Sequence, residues 1–161
     1  MAGSNLGAEE RMRAHDRVGP QRGRLRDAAV GFRAAVEAPS VDTPEGAHDW
    51  CTVVAKALAE LSDAWQGHVR FTEDEDGLFA ELLEEQVEVA APEVDHLRRD
   101  HVVVAAAMVR AGELLGADGA GPGDTKLRDS LKAVARQVDA HRKRGVDLLY
   151  KVYSVDPTGG G

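Results

Sequence analysis

One cysteine, Cys51, is the only thiol in this chain of 161 residues. An internal disulfide framework is thereby excluded, as is any zinc or iron–sulfur centre built on cysteines of one chain. Long hydrophobic runs are missing too. The longest, Val102 to Val109, falls far short of the ~20 residues needed to cross a bilayer. The N-terminus lacks a basic-then-apolar signal pattern, so the expected compartment is the cytoplasm. Basic residues are in deficit, 20 against 28 acidic, giving a formal charge of −8. A surface that acidic repels nucleic acid and anionic membranes, so neither is an expected partner. No nucleophile–base motif, phosphate loop or dinucleotide fingerprint occurs, so no catalytic residue is assigned. The glycine-rich stretch from Gly116 to Gly123 follows no strand and reads as a connection between helices.

What is present is enough apolar material for a core, with 43% hydrophobic residues beneath 30% charged ones. That balance belongs to a folded domain rather than a disordered chain, and the length fits one domain. Helical spacing dominates throughout. Leu25, Ala29, Phe32 and Val36 form a first stripe, which Gly19-Pro20 separates from the residues before it and Pro39 ends. Trp50, Val54, Ala57, Leu61, Ala64, His68 and Phe71 form a second, closed by a break at Asp74–Gly77. A short amphipathic segment from Leu78 to Val89 follows, and Pro92 suits the first turn of a third helix. The stripe of that helix is Val94, Leu97, His101, Val104, Met108, Ala111 and Leu115. Asp124 or Thr125 caps a fourth, with Leu127, Leu131, Val134, Val138, His141, Gly145 and Leu148 on one face. No strand alternation competes. These features predict an all-α, up-down-up-down four-helix bundle over residues 21–153. A flexible segment over residues 1–20 precedes it, and a loose tail over residues 154–161 follows.

Three of the six histidines, His68, His101 and His141, occupy apolar-stripe positions on three different helices. Antiparallel neighbours joined by short loops share levels counted from the connection. His68 lies 9 residues before Gly77 and His101 lies 9 after Pro92; His101 lies 15 before Gly116 and His141 lies 17 after Asp124. At about 1.5 Å per residue these mismatches are one turn or less, so the imidazoles should point inward at one height. Three buried imidazoles need partners, either a metal ion or buried acids. Helix two offers Glu73, five residues after His68, and Glu75, seven after it. Glu75 shares the ideal helical face with His68, whereas Glu73 needs a bulge or a wide site. The acidic run also sits at a helix C-terminus, where it opposes the dipole. The same run also reads as a solvated helix end.

A four-helix bundle with inward histidines on successive helices resembles hemerythrin and the hemerythrin-like HHE cation-binding domains. His68-Val-Arg-Phe-Thr-Glu-Asp-Glu-Asp-Gly-Leu-Phe79 is similar to the family's second-helix block, and Leu97-Arg-Arg-Asp-His101 resembles its acid–His signature on helix three. His141 matches the last histidine of the family. The resemblance implies non-haem iron, mononuclear or dinuclear, held by His68, Glu73, His101 and His141, with His15, Glu75 and His96 as weaker candidates. It also implies a small diatomic ligand or peroxide as partner. Several positions depart from the family pattern. Thr72 stands where its second-helix acid falls, and Gly145 and Val146 stand where its fourth-helix acid is expected, with Asp147 rotated away. His96 is off the apolar face, and His15 matches the level of His68 only across Gly19-Pro20.

Two readings of the histidine layer stay open. In one, a metal at His68, Glu73, His101 and His141 serves sensing, storage or a peroxide-related activity, and Gly145 leaves room for a small ligand. In the other, the bundle holds no metal, its histidines form a polar network with acids or arginines, and it acts as a regulatory or dimerising module. Contacts from Arg98 or Arg142 to Glu73 would mark the second. A homodimer is compatible with both.

Overall fold

The four apolar stripes form four helices in the computed structural model, which describes residues 3–154, with side chains over residues 18–153. In chain order they are α1 (Gly3–Glu37), α2 (Pro44–Glu73), α3 (Leu78–Leu115) and α4 (Thr125–Ser154). No strand occurs among the described residues, and no helix among them is long and apolar enough to cross a membrane. Each helix packs on its neighbours in sequence, and α1 closes the ring against α4. With connections of a few residues between long helices, neighbours must run antiparallel. The protein is a four-helix bundle.

Local chemistry sets the helix ends. Thr43 caps α2, its hydroxyl oxygen accepting from the Gly46 amide at 3.0 Å, and Pro44 opens the first turn. Asp124 caps α4 by accepting from the amides of Lys126 at 3.0 Å and Leu127 at 3.2 Å. Between α3 and α4 the chain turns at Gly119, whose φ of 77° is the left-handed conformation that glycine adopts without strain. Gly77 begins α3 in a tight pocket of backbone. A Cβ there would lie 2.8 Å from the carbonyl oxygens of Asp74 and Thr72.

Two expected breaks fall elsewhere. The helix does not stop at Gly19-Pro20, because α1 runs through Pro20. Pro20 lies on the exposed face, so water can take the one carbonyl its missing amide leaves free. Nor does the third helix start at Pro92, which lies inside α3. The interruption is at Gln86 (φ −148°, ψ 74°). Phe79 stacks on the His101 ring with centroids 5.7 Å apart. A straight helix would hold these residues about 33 Å apart at 1.5 Å per residue, so α3 folds back on itself at Gln86. The Gln86 side chain secures the bend by donating to the Val152 carbonyl at 3.1 Å.

Burial follows the stripes closely. Every apolar residue in the stripes of α1, α3 and α4 is buried. On α2, Trp50, Val54, Leu61 and Ala64 are buried, while Ala57 and Phe71 are only half-buried and Leu58 and Trp65 join the core instead. The buried apolar residues separate into two clusters. The larger runs through all four helices around Phe32, Leu61, Trp65 and Leu131. The smaller joins Phe79 and Leu82 to Val94, Leu97, Leu148 and Val152 at the folded-back end of α3. Met108 is core filler, and the Cys51 thiol is half-buried, 3.5 Å from the Ala120 carbonyl. Tyr153 packs against the smaller cluster while Tyr150 is exposed.

A pair of glycines gives opposite expectations. A Cβ on Gly145, inside α4, would meet nothing within 4 Å. Gly145→Ala should therefore raise stability by about 0.5–1 kcal/mol through helix propensity. Gly77→Ala should lower it, because three backbone carbonyls must move. Urea unfolding midpoints of the two variants against the parent check this, and a Gly77→Ala midpoint at or above the parent value contradicts it.

Candidate metal centre

His68 on α2, His101 on α3 and His141 on α4 converge, each offering a ring nitrogen within 4.8 Å of the other two. His101 and His141 are buried and His68 is half-buried. They surround Trp65, whose ring centroid lies 5.5 Å from His68, 5.6 Å from His101 and 4.8 Å from His141. The indole N–H donates to the His101 backbone carbonyl at 3.4 Å, tying α2 to α3 at this level. Phe79 covers His101 from the folded-back end of α3, and the Arg98 guanidinium lies 5.7 Å over the Phe79 ring.

Outer hydrogen bonds set how the rings present themselves. His101 donates from Nδ1 to Glu73, so its Nε2 carries a lone pair; that atom is buried and has no partner. His141 Nδ1 lies 3.2 Å from Asp100 Oδ2 and donates to it, which likewise leaves a lone pair on Nε2. Asp100 is held in turn by Arg144 at 2.7 Å, with His96 Nε2 3.7 Å from its other oxygen. His68 Nε2 lies 2.9 Å from His141 Nε2. Since His141 accepts there, His68 is the donor and carries its proton on Nε2. This assignment follows from the network of partners.

Electrostatics keep the rings neutral. Burial first, then the neighbouring imidazoles of His141 and His101 and the Arg22 guanidinium, push His68 from 6.5 down to about 3. His141 falls to about 4 through burial and His101, with Asp100 working the other way. His101 is also lowered, because burial outweighs its hydrogen bond to Glu73. Neutral imidazoles, two with an Nε2 lone pair and a carboxylate behind them and a third that needs only to shift its proton to Nδ1, are a donor set that zinc, iron or copper takes. The residues present therefore fit a metal.

The expected ligands divide accordingly. His68, His101 and His141 meet as anticipated. Glu73 reaches inward, but onto the outer nitrogen of His101, so it orients a ring instead of joining the three inward nitrogens. Glu75 lies away from the cluster, at an acidic hollow with Asp74 and Asp76 beyond the end of α2. His96 pairs with Asp100. His15 falls within α1, and its side chain lies outside the described residues. The arginine contacts to Glu73 that would mark the metal-free reading are not made: Arg98 pairs with Asp95, and Arg142 with Asp139.

Asp100 and Phe79 stand in the family-like stretches without an expected role, and neither Trp65 nor Arg144 was expected at the site. Asp100 had a detectable signal, since an acid next to a core histidine is rotated about 100° from it on a helix, toward the adjoining helix. Trp65 follows the buried Ala64 on the Trp50 stripe. Phe79 could not be placed without the bend at Gln86.

A cavity of about 720 Å³ opens beside the cluster, with His68, His141 and Gly145 among the residues that line it. The room expected at Gly145 is there. No family model, curated protein or solved structure matches the chain.

The lowered histidines make stability depend on pH. The unfolded chain takes up these protons near 6.5, whereas folded His68 and His141 resist until about 3 and 4. Their contribution is therefore complete above 6.5 and lost as pH falls. Each histidine should cost up to about 1.4 kcal/mol per pH unit below that point. Urea midpoints of chelator-treated protein between about pH 7 and pH 5 test this. His68→Gln should flatten the slope, and a variant as acid-sensitive as the parent contradicts the assignment.

Proposed function

We propose that His68, His101 and His141 together hold one transition-metal ion, and that the protein is a hemerythrin-like metal-binding bundle. It acts in the cytoplasm on a small oxidant or gas, namely dioxygen, nitric oxide or peroxide. The observation that carries this reading is the buried, unpartnered Nε2 of His101, on a ring that shares with His68 and His141 a set of nitrogens within 4.8 Å of one another. A lone pair left in that position costs about 1–3 kcal/mol unless something binds it. Glu73 and Asp100 fix the tautomers and ring planes from outside, as carboxylates behind metal-bound imidazoles do. His68 can join by moving its proton from Nε2 to Nδ1. Trp65 and Phe79 exclude water from one side of the three rings, and the cavity gives access at His68 and His141. Iron is the favoured ion because the His68–Phe79 and Leu97–His101 stretches resemble hemerythrin-like domains. A single ion fits better than two, since no carboxylate among the described residues joins the three nitrogens. Iron held by three protein nitrogens supplies open coordination positions for a small ligand.

The direct 2.9 Å contact between His68 and His141 favours a second reading, in which the same layer is a metal-free polar network and the bundle acts through its surface. Metal content separates the two. Chelator-treated protein without a histidine tag, reconstituted with ferrous iron, should retain about one equivalent. His101→Ala should lose it, and Asp100→Asn should bind roughly 10–100-fold more weakly with unchanged helix content. Retention below about 0.1 equivalent of iron, manganese and zinc alike would falsify the metal reading.

A further inference from the structure

The cavity beside the histidines has a charge opposite to that of the chain. Five cationic side chains line it, Arg22, Arg26, Arg33, Arg142 and Lys143, against one carboxylate, Asp139. Asp139 is already shared between Arg33 and Arg142. Arg22 is the odd member. It is half-buried on α1, its Nη2 is fully buried without a partner, and no carboxylate lies within ion-pair distance among the described residues. Burial first and then the Arg142 charge lower its affinity for its own proton, a penalty that an anion between the two guanidiniums would remove. Gln21 adds a second buried polar atom without a partner in the same wall. Part of the lining is apolar, with Phe79, Leu82 and Leu148 in one buried cluster and Leu78 packed against it. The volume of about 720 Å³ lies within the range of about 300–1,000 Å³ usual for small-molecule sites.

We propose that this cavity binds a small organic carboxylate, with its acid group between Arg22 and Arg142 and its apolar chain against Leu78, Leu82 and Leu148. A guanidinium fork matches a carboxylate in two parallel hydrogen bonds, which makes arginine a suitable partner for this head group. An inorganic anion would leave the apolar part of the lining uncovered, and a neutral lipid would leave Arg22 unpaired. The site stands on this chain's own side chains and does not depend on a metal at the histidines.

Calorimetric titration of the chelator-treated full chain with sodium octanoate tests the proposal separately from metal binding. Octanoate should bind at about one per chain, while octan-1-ol, octylammonium and acetate should each bind at least about tenfold more weakly. Arg22→Gln should weaken octanoate about tenfold or more, and Arg22→Lys should restore part of the loss. Gly145→Leu, which fills the cavity from a position with open space and good helix propensity, should abolish binding with helix content unchanged. Octan-1-ol binding as tightly as octanoate, or undiminished octanoate binding by Arg22→Gln or Gly145→Leu, overturns it.

Discussion

Burial of three uncharged imidazoles against one tryptophan is the constraint on which the rest of this structure depends. A proton on any one of them would place a charge in a poorly solvated layer beside two other rings, so all three stay neutral. A neutral imidazole has one donor and one acceptor, and each buried donor needs an acceptor. Glu73 and Asp100 meet that need for His101 and His141, and Arg144 then steadies Asp100. The inward lone pairs follow from these outer contacts. The chemistry at the centre is thus set by carboxylates on its periphery.

Charge is distributed in a way that the net value conceals. The chain is acidic by 8 units, yet the charged side chains lining the cavity beside the histidines are five cations against one carboxylate. Local sign, not the total, decides what enters a cleft whose low-dielectric walls focus the field. Arg22 acts in both places at once, lowering the proton affinity of His68 while standing unpaired in the cavity. An occupant neutralising Arg22 would therefore also be felt at the imidazoles.

Much of the fold was legible in the sequence, because a helical stripe reports burial directly. Leu127 through Leu148 on α4 and Val94 through Leu115 on α3 are buried as their spacing predicts. The three histidines were legible on the same ground. The breaks were less so. Proline marks a missing donor, and on an exposed face water can replace the lost bond, which is how α1 passes Pro20. The bend at Gln86 has no such marker, since its stabilising contact is to Val152, 66 residues away. Equal counting from Pro92 therefore reached the correct level from a connection that lies elsewhere. Glu73 was found, but its contact with the His101 Nδ1 was not, because periodicity gives the face a residue occupies and not which ring nitrogen it meets. Asp100 was hidden for a related reason, as its partner is on the next helix.

The fold-back of α3 divides the hydrophobic interior unequally. The cluster of seven buried residues around Phe79 and Leu82 is separate from the larger one around Trp65. Regions with few buried apolar contacts open locally at a lower free energy than the whole domain unfolds. The stretch from Leu78 to Gln86 can thus lift while the four long helices remain docked, uncovering His101 and widening the cavity in the same movement. Solvent entry at His101 is then a local event. The stacking of Phe79 on the His101 ring is the contact that such an opening must break.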